Sequence, residues 1–312
     1  MKSKLIINWE LSLICNLDCS FCSQKERRSK SSSILKLENI YNIIDNLPKN
    51  SHLSFLWWET FLFPNILDIF NKLENSEITY EITTNWILLD KYLDKLNNLK
   101  NLSQINISID WYWEFHDNSR WKKWLFISLK KVIPKLNEIK KVSVSTVISS
   151  ELENTNLIKL HLWLDSIWIL EHKLIYMMNF SKNDVNDSKK IINSLQVWLP
   201  WKENNNNSEL IKDYLEKLSI IRKLKTNTKI IVEPLALFKK WSLSCKQLDK
   251  QLRINENWKL SICEFITNNF NDLSKIKIEE AIKNDDYLKL KRSILNNFPL
   301  NICKYCCKLY NK

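Results

Sequence analysis

The chain contains no glycine in 312 residues, and it carries 14 tryptophans. At the usual share of about 7 %, roughly 22 glycines are expected at this length. Glycine supplies positive φ in turns and at helix ends, and lets backbones approach closely. A folded domain of this size is hard to build without it. The Asn257-Trp258 pair illustrates the difficulty. It sits midway along a stretch, residues 252–262, that reads as a β-hairpin. Asn-Gly is a favoured hairpin turn, so this turn is intelligible if position 258 behaves as glycine.

The apolar pattern alternates between strand and helix. Strand-like runs cover residues 5–14, 52–56, 78–83, 104–109, 141–148 and 166–175, and helical periodicity covers 36–47, 65–73, 91–99 and 125–136. Six strand–helix alternations predict an α/β fold with a parallel sheet and helices outside. A polar stretch at 202–208 with four consecutive asparagines reads as a loop, followed by a helix near 209–224 and a second region from about residue 229. The content of 45 % hydrophobic residues suffices for one large domain and a small one. No apolar run reaches 18 residues, so no membrane span is expected. The sequence opens Met1-Lys2-Ser3-Lys4 directly into a strand, without a signal peptide, which predicts a cytoplasmic protein. The formal charge of +12 is scattered along the chain and does not predict a nucleic-acid partner.

Residues 15–22 read Cys-Asn-Leu-Asp-Cys-Ser-Phe-Cys, just after the first apolar run. A tight loop of this kind can present the thiolates of Cys15, Cys19 and Cys22 to one face of a [4Fe–4S] cubane, leaving the fourth iron open to a ligand. A structural zinc site asks for four ligands, and no nearby Cys or His completes this set. A disulfide asks for an oxidising compartment. The other five cysteines, Cys245, Cys263, Cys303, Cys306 and Cys307, all lie in the C-terminal part. Four of them can hold an auxiliary cluster or, in isolation, a zinc ion.

The spacing CxxxCxxC with an aromatic, Phe21, before the last cysteine resembles the signature of the radical S-adenosylmethionine (SAM) superfamily. Further motifs carry the same resemblance. Trp57-Trp58-Glu59-Thr60 stands where the family has Gly-Gly-Glu-Pro. Thr84-Asn85-Trp86 is similar to Thr-Asn-Gly, Ser108-Ile109-Asp110-Trp111 to Ser-Ile-Asp-Gly, and His116-Asp117 with Arg120-Trp121 to His-Asp-x-x-Arg-Gly. Cys245-x12-Trp258-x4-Cys263 resembles the opening of the SPASM and twitch domains, with Trp in place of Gly. Tryptophan thus occupies the family's glycine positions, so most of these residues are expected to be glycines in the organism, from UGA codons read as glycine. Trp9 is the main expected exception. The Lys-, Asn- and Ile-rich composition, with alanine only at 236 and 281, fits an AT-rich genome poor in GGN codons.

The resemblance implies a partial (β/α)6 TIM-like barrel over residues 1–228 and a small C-terminal SPASM/twitch-like iron–sulfur domain over 229–312. Active residues then lie in loops at the C-terminal ends of strands. It implies Cys15, Cys19 and Cys22 as ligands of a SAM-binding [4Fe–4S] cluster. It places Phe21 near adenine, Trp57, Trp58 and Glu59 at the SAM amino group, and Ser108 and Asp110 at the ribose. Asn85 belongs with the cofactor loops, and Arg120 with the SAM carboxylate. His116 would cap or orient its loop. Cys245, Cys263, Cys303 and Cys306 would hold one auxiliary [4Fe–4S] cluster, with Cys307 spare or replacing Cys306. The implied activity is reductive cleavage of SAM to a 5′-deoxyadenosyl radical that abstracts hydrogen from a peptide or protein side chain, with an electron donor such as flavodoxin or ferredoxin. A small-molecule or cofactor-biosynthetic enzyme is the rival within the family. A barrel scaffold that has lost SAM binding is what two literal indoles at 57 and 58 would imply.

Overall fold

A computed structural model describes residues 4–311 apart from 23, 25–26, 28–35, 57–58, 150–151, 177–180, 198–206, 233–242, 246–247, 249–250 and 304–308. The elements run β1 (Ile6–Trp9), α1 (Leu37–Asp45), β2 (His52–Phe55), α2 (Ile66–Glu74), β3 (Thr79–Thr84), α3 (Leu93–Asn97), β4 (Leu102–Ser108), α4 (Glu114–Ser119), α5 (Leu125–Ile139), β5 (Val142–Ile148), α6 (Asn154–Ser166), β6 (Glu171–Tyr176), α7 (Lys182–Ile191), α8 (Asn207–Arg222) and β7 (Lys229–Val232). The C-terminal part adds β8 (Leu243–Cys245), β9 (Gln251–Ile254), β10 (Lys259–Ser261), β11 (Phe270–Asp272), α9 (Ile278–Ala281), α10 (Asp285–Asn296) and β12 (Leu309–Asn311).

Strands β1 to β7 lie side by side in sequence order, all parallel. This is the expected α/β architecture, a partial barrel with helical crossovers. The sheet does not end at β1. Strand β9 pairs with it in parallel, and β10 and β11 follow antiparallel, giving ten strands in one sheet. The last strand, β12, pairs separately with β8.

Side chains alternate across the pleat. Trp9, Phe55 and Tyr80 share one face and meet Phe70 of α2, with ring centroids 5.3–6.5 Å apart. The opposite face is polar: Ser54 donates to Glu81 (2.6 Å), Gln104 to Ser143 (2.6 Å), and Ser143 and Ser145 both donate to Asn106 (2.9 Å each). A closed TIM barrel fills its interior with Val, Ile and Leu. This interior is instead lined by hydrogen-bonding groups.

Two strand boundaries differ from the sequence reading. The apolar run 5–14 is a strand only over Ile6–Trp9, although Glu10 N–H still bonds the Ile254 carbonyl of β9 (2.9 Å) before the chain enters the cysteine loop. Residues 166–170 complete α6 and its cap before β6 begins at Glu171. That cap is a Schellman motif: Trp168 N–H donates to the Asp165 carbonyl (3.0 Å) and Ile169 N–H to the Leu164 carbonyl (3.1 Å). Trp168 therefore sits at φ 59°, the position glycine normally takes. The same motif ends α4, where Trp121 N–H donates to Asn118 and Lys122 N–H to Asp117, with Trp121 at φ 56°.

Eight described residues have positive φ; two are asparagine and six are tryptophan, at 86, 113, 121, 124, 168 and 258. Trp113, at φ 59° and ψ −136°, occupies a region that a Cβ makes costly. Trp121, Trp124 and Trp168 leave 76 %, 69 % and 73 % of their surface in solvent, so burial does not compensate the backbone. Elsewhere, the indole N–H groups of Trp9, Trp86, Trp111 and Trp258 are buried with no acceptor among the described residues.

A line of hydrogen bonds crosses the core behind β5 and β6. Thr146 Oγ1 donates to the Ile109 carbonyl, so its oxygen accepts from His172 Nε2 (2.8 Å). His172 Nδ1 then accepts from His161 Nδ1 (3.0 Å), and His161 Nε2 accepts from Thr226 (2.9 Å). Every donor has one acceptor when both rings are neutral. Burial lowers both pKa values, that of His172 to about 3.

Two outcomes are expected from urea unfolding. Trp168→Gly raises stability by about 1–2 kcal/mol, the cost of a left-handed L-residue. An unchanged or lower midpoint would contradict the strain at this cap. The two histidines bind protons in the unfolded chain near pH 6.5 but not in the fold. The contribution of His172 is therefore present above that pH and lost as pH falls toward 3, at about 1.4 kcal/mol per pH unit, and His161 adds in the same direction. His172→Gln flattens this acid limb.

Candidate functional site

The parallel sheet delivers the ends of β1 to β4 to one rim, and the loops that leave it meet there. The loop after β1 carries Cys15, Cys19 and Cys22, all free thiols. Its turn is closed by Cys22 N–H donating to the Cys19 carbonyl (3.1 Å), and it is anchored to α4 by Ser20 N–H on the Ser119 carbonyl (3.0 Å). Cys15 and Cys22 are half-buried and Cys19 is buried. Burial pushes the Cys19 thiol up to about 12, the Arg120 guanidinium opposes this, and the charges of Asp110, Cys22 and Cys15 add to the rise. The three thiols and Arg120 therefore share one electrostatic site.

Glu59, after β2, is 1 % exposed and ties three loops together. Its N–H donates to the Ile14 carbonyl of the cysteine loop (3.2 Å). Its carboxylate accepts from Phe61 N–H (3.2 Å), the Thr84 hydroxyl (2.7 Å) and Asn85 N–H (2.7 Å). Burial raises its pKa to about 7, against these donors. Asn85, after β3, donates to Asn16 Oδ1 (2.7 Å) and lies 3.7 Å from Cys15 Sγ.

Beyond β4, Asp110 and Arg120 form a buried ion pair. Arg120 Nε and Nη2 donate to Asp110 Oδ2 at 2.9 and 2.6 Å, and Val147 N–H takes the other oxygen (3.1 Å). The guanidinium lies 5.9 Å from the Phe21 ring centroid. His116, fully buried, accepts from Asp110 N–H through Nδ1 (3.3 Å). Burial and Arg120 hold it neutral, so it orients the loop. Ser108 ends β4 half-buried, opposite Ser145 in the ladder. Thus Phe21, Glu59, Asn85, Asp110 and Arg120 gather around the cysteine loop. Trp57, Trp58, Cys306 and Cys307 lie outside the described residues.

The second cysteine set also converges. Cys263 follows β10, Cys245 ends β8, and Cys303 lies in the C-terminal segment. Burial pushes Cys263 up to about 12 and Cys303 well above the usual thiol range, and each also responds to Cys245. Pairing of β12 with β8 brings the chain after Cys303 beside Cys245. Among the described residues, no three His, Cys, Asp or Glu side chains close on a single metal ion. A cubane has separate iron corners, so its thiolates need not meet at one point. Both sets of free thiols fit such a cluster by donor chemistry.

The charged partners of this region escape motif reading. Buried Glu10 is ion-paired with both Arg27 and Arg253, which are buried too. The one sequence signal is a carboxylate inside the apolar run 5–14.

Residues 9–151 match the model of the radical SAM superfamily. Over those residues the chain is similar to the radical SAM superfamily. SuiB of Streptococcus suis is similar to the whole chain. Its structure bound to precursor peptide SuiA gives a TM-score of 0.73 at 15 % identity, covering 98 % of this chain and 71 % of SuiB. The structure of SuiB bound to S-adenosylmethionine gives 0.73 at 15 %, covering 97 % and 72 %. Native anSMEcpe with bound AdoMet and Cp18Cys peptide gives 0.59 at 14 %, covering 97 % and 88 %. At these identities the likeness is one of fold. No curated protein matches the sequence, and no helix of the described residues is long and apolar enough to cross a membrane.

Asp110→Ala leaves the Arg120 charge buried without its partner. A loss of about 3–5 kcal/mol is expected in chemical denaturation. A variant within 1 kcal/mol of the parent would mean the pair is not buried as described.

Proposed function

We propose that the chain is a radical SAM enzyme acting on a peptide or protein side chain. The observation that carries this reading is the gathering of Cys15, Cys19, Cys22, Phe21, Glu59, Asn85 and Arg120 on the open rim of a parallel barrel. Cys15, Cys19 and Cys22 would hold a [4Fe–4S] cluster whose open iron takes SAM. Loaded in this way, the site supplies one-electron cleavage of SAM to a 5′-deoxyadenosyl radical. The protein's own part is to bind, orient and exclude water. Arg120 uses Nε and Nη2 on Asp110, and its Nη1 remains to pair the SAM carboxylate, a charge-assisted bond. Asp110 fixes that guanidinium beside the cysteine loop, and Ser108 and Asp110 border the ribose. Phe21 flanks the adenine. Glu59 is tied to Ile14 through its own N–H, and the family resemblance puts residues 57–59 at the SAM amino group. Hydrogen-atom abstraction needs no general base, so a residue of that kind is not required.

In the second set, Cys245, Cys263, Cys303 and Cys306 would bind one auxiliary [4Fe–4S] cluster in a SPASM/twitch-like unit from about residue 229, with Cys307 as the alternative last ligand. Flavodoxin or ferredoxin would supply the electron, in the cytoplasm. A peptide substrate is favoured because SuiB was crystallised with a precursor peptide and anSMEcpe with a Cp18Cys peptide.

We further propose that the tryptophans at family glycine positions are glycines in the native protein, through UGA read as glycine. Six of the nine described tryptophans lie at positive φ, and Trp86, Trp111 and Trp258 have buried indole N–H groups without an acceptor among the described residues. Trp9, within a strand, is kept as a true tryptophan. The literal indoles at 57 and 58 favour the second reading, a scaffold without SAM binding.

Anaerobically reconstituted protein, made from a gene encoding glycine at the motif tryptophans, is expected to release 5′-deoxyadenosine from SAM with dithionite. Cys15→Ala/Cys19→Ala/Cys22→Ala is expected to release none. No release from the parent would leave the scaffold reading. Peptide mass spectrometry of native protein is expected to give glycine masses at 57, 58, 86, 111 and 258; tryptophan masses at 57 and 58 would end the recoding proposal.

A further inference from the structure

One buried charge cluster touches the loops of both cysteine sets. Glu10 stands at the end of β1, five residues before Cys15, and is 1 % exposed. Its Oε2 accepts from Arg27 Nη2 at 3.0 Å and from Arg253 Nη2 at 2.5 Å. Arg27 stands five residues after Cys22, so the cysteine loop leaves Glu10 and returns to it. Arg27 also donates to Gln24 Oε1 (2.8 Å) and to Glu256 Oε2 (2.5 Å) in the turn between β9 and β10. Arg253, on β9 and 3 % exposed, turns its other amine outward. That Nη1 donates to the Ser261 hydroxyl (2.5 Å) and to the backbone carbonyl of Cys263 (3.2 Å).

Buried ion pairs are a poor source of net stability compared with apolar packing of the same volume. What this cluster does provide is geometry. Two guanidiniums and two carboxylates are in direct contact, and the buried carboxylate of Glu264 also acts on Arg253. The planar fork of Arg253 spans from β1 to a residue of the second cysteine set, a reach and direction that a flexible ammonium does not reproduce.

We propose that Arg253, seated on Glu10, is a positioning residue for the second cysteine site: it holds the Cys263 carbonyl and so fixes the Cys263 thiol relative to the Cys15–Cys22 loop. This rests on reading the second cysteine set as an auxiliary [4Fe–4S] site. It also gives the cluster there a fixed cation hydrogen-bonded to its own ligand's backbone, with Glu10 as the opposing charge. Hydrogen bonding and local charge set cluster potentials.

The test compares the reconstituted full-length protein with two variants. Glu10→Gln/Arg253→Gln removes both charges together, and Arg27 keeps Glu256. Arg253→Lys keeps the charge and removes the fork. Iron and sulfide per chain, the EPR of the reduced clusters with and without SAM, and the midpoint potential of each cluster are measured. The parent is expected to carry about eight irons, two cubanes. The double variant is expected to fall to about four, with the remaining signal still responding to SAM. Arg253→Lys is expected to retain more iron than the double variant, with the second cluster's potential shifted and the SAM-responsive one unchanged. Parent-like iron and an unchanged second potential in both variants overturn the proposal. Loss of the SAM-responsive signal in the double variant also overturns it, because the role is then not selective. If the double variant lacks a folded far-UV spectrum, Arg253→Lys decides alone by the same potentials. A parent that binds only about four irons marks failure of the auxiliary-cluster reading itself, which is seen before any variant is compared.

Discussion

A buried carboxylate holds the rim of this barrel together. Glu59 receives hydrogen bonds from the segments after β2 and β3, and its own amide reaches back to Ile14 in the cysteine loop. Three parallel strands end at one rim, but nothing in a sheet fixes how their loops leave it. Three donors on one carboxylate do. Desolvation raises the pKa of Glu59 while every bond to it favours the charged form. The result is a group whose burial makes sense only as a tie between loops.

The charge pairs repeat this logic at two further places. Asp110 and Arg120 stiffen the loop after β4 beside Cys19, and Glu10, Arg27 and Arg253 join the cysteine loop to the C-terminal hairpin. Around them the interior of the barrel stays polar, from Ser54 and Glu81 to Asn106 and Ser145, so it is not a packed core. The apolar mass lies between strands and helices instead, in the Trp9, Phe55, Phe70 and Tyr80 stack. Rigidity at the rim and a hydrogen-bonding interior are what a site for a polar ligand needs.

Tryptophan is the residue at odds with all of this. Local rules place a glycine at the C′ position of a Schellman cap, yet Trp121 and Trp168 stand there. Consistency between local preference and global fold is the mark of natural sequences. Here six of the eight positive-φ residues among those described are of one type, tryptophan, and the other two are asparagine, which tolerates that region.

Much was legible in the sequence because it depends on neighbours along the chain. Period-two and helical patterns located the six strands from β1 to β6 and five of the ten helices described, α1, α2, α3, α5 and α8, and the spacing of Cys15, Cys19 and Cys22 announced a thiol loop at a strand end. The run 5–14 misled as to length because its apolar residues continue past Trp9, where the paired strand ends. β7 and the continuation of the sheet through β9 depend on pairings that no local pattern records. What only the tertiary structure decided is which distant groups meet. Glu10 and Arg253 lie 243 positions apart, and Asp110 takes Arg120 as its partner through a bend of the chain. Motif and periodicity are short-range properties of a sequence, whereas a buried charge finds its counterion only when the sheet has brought both strands side by side.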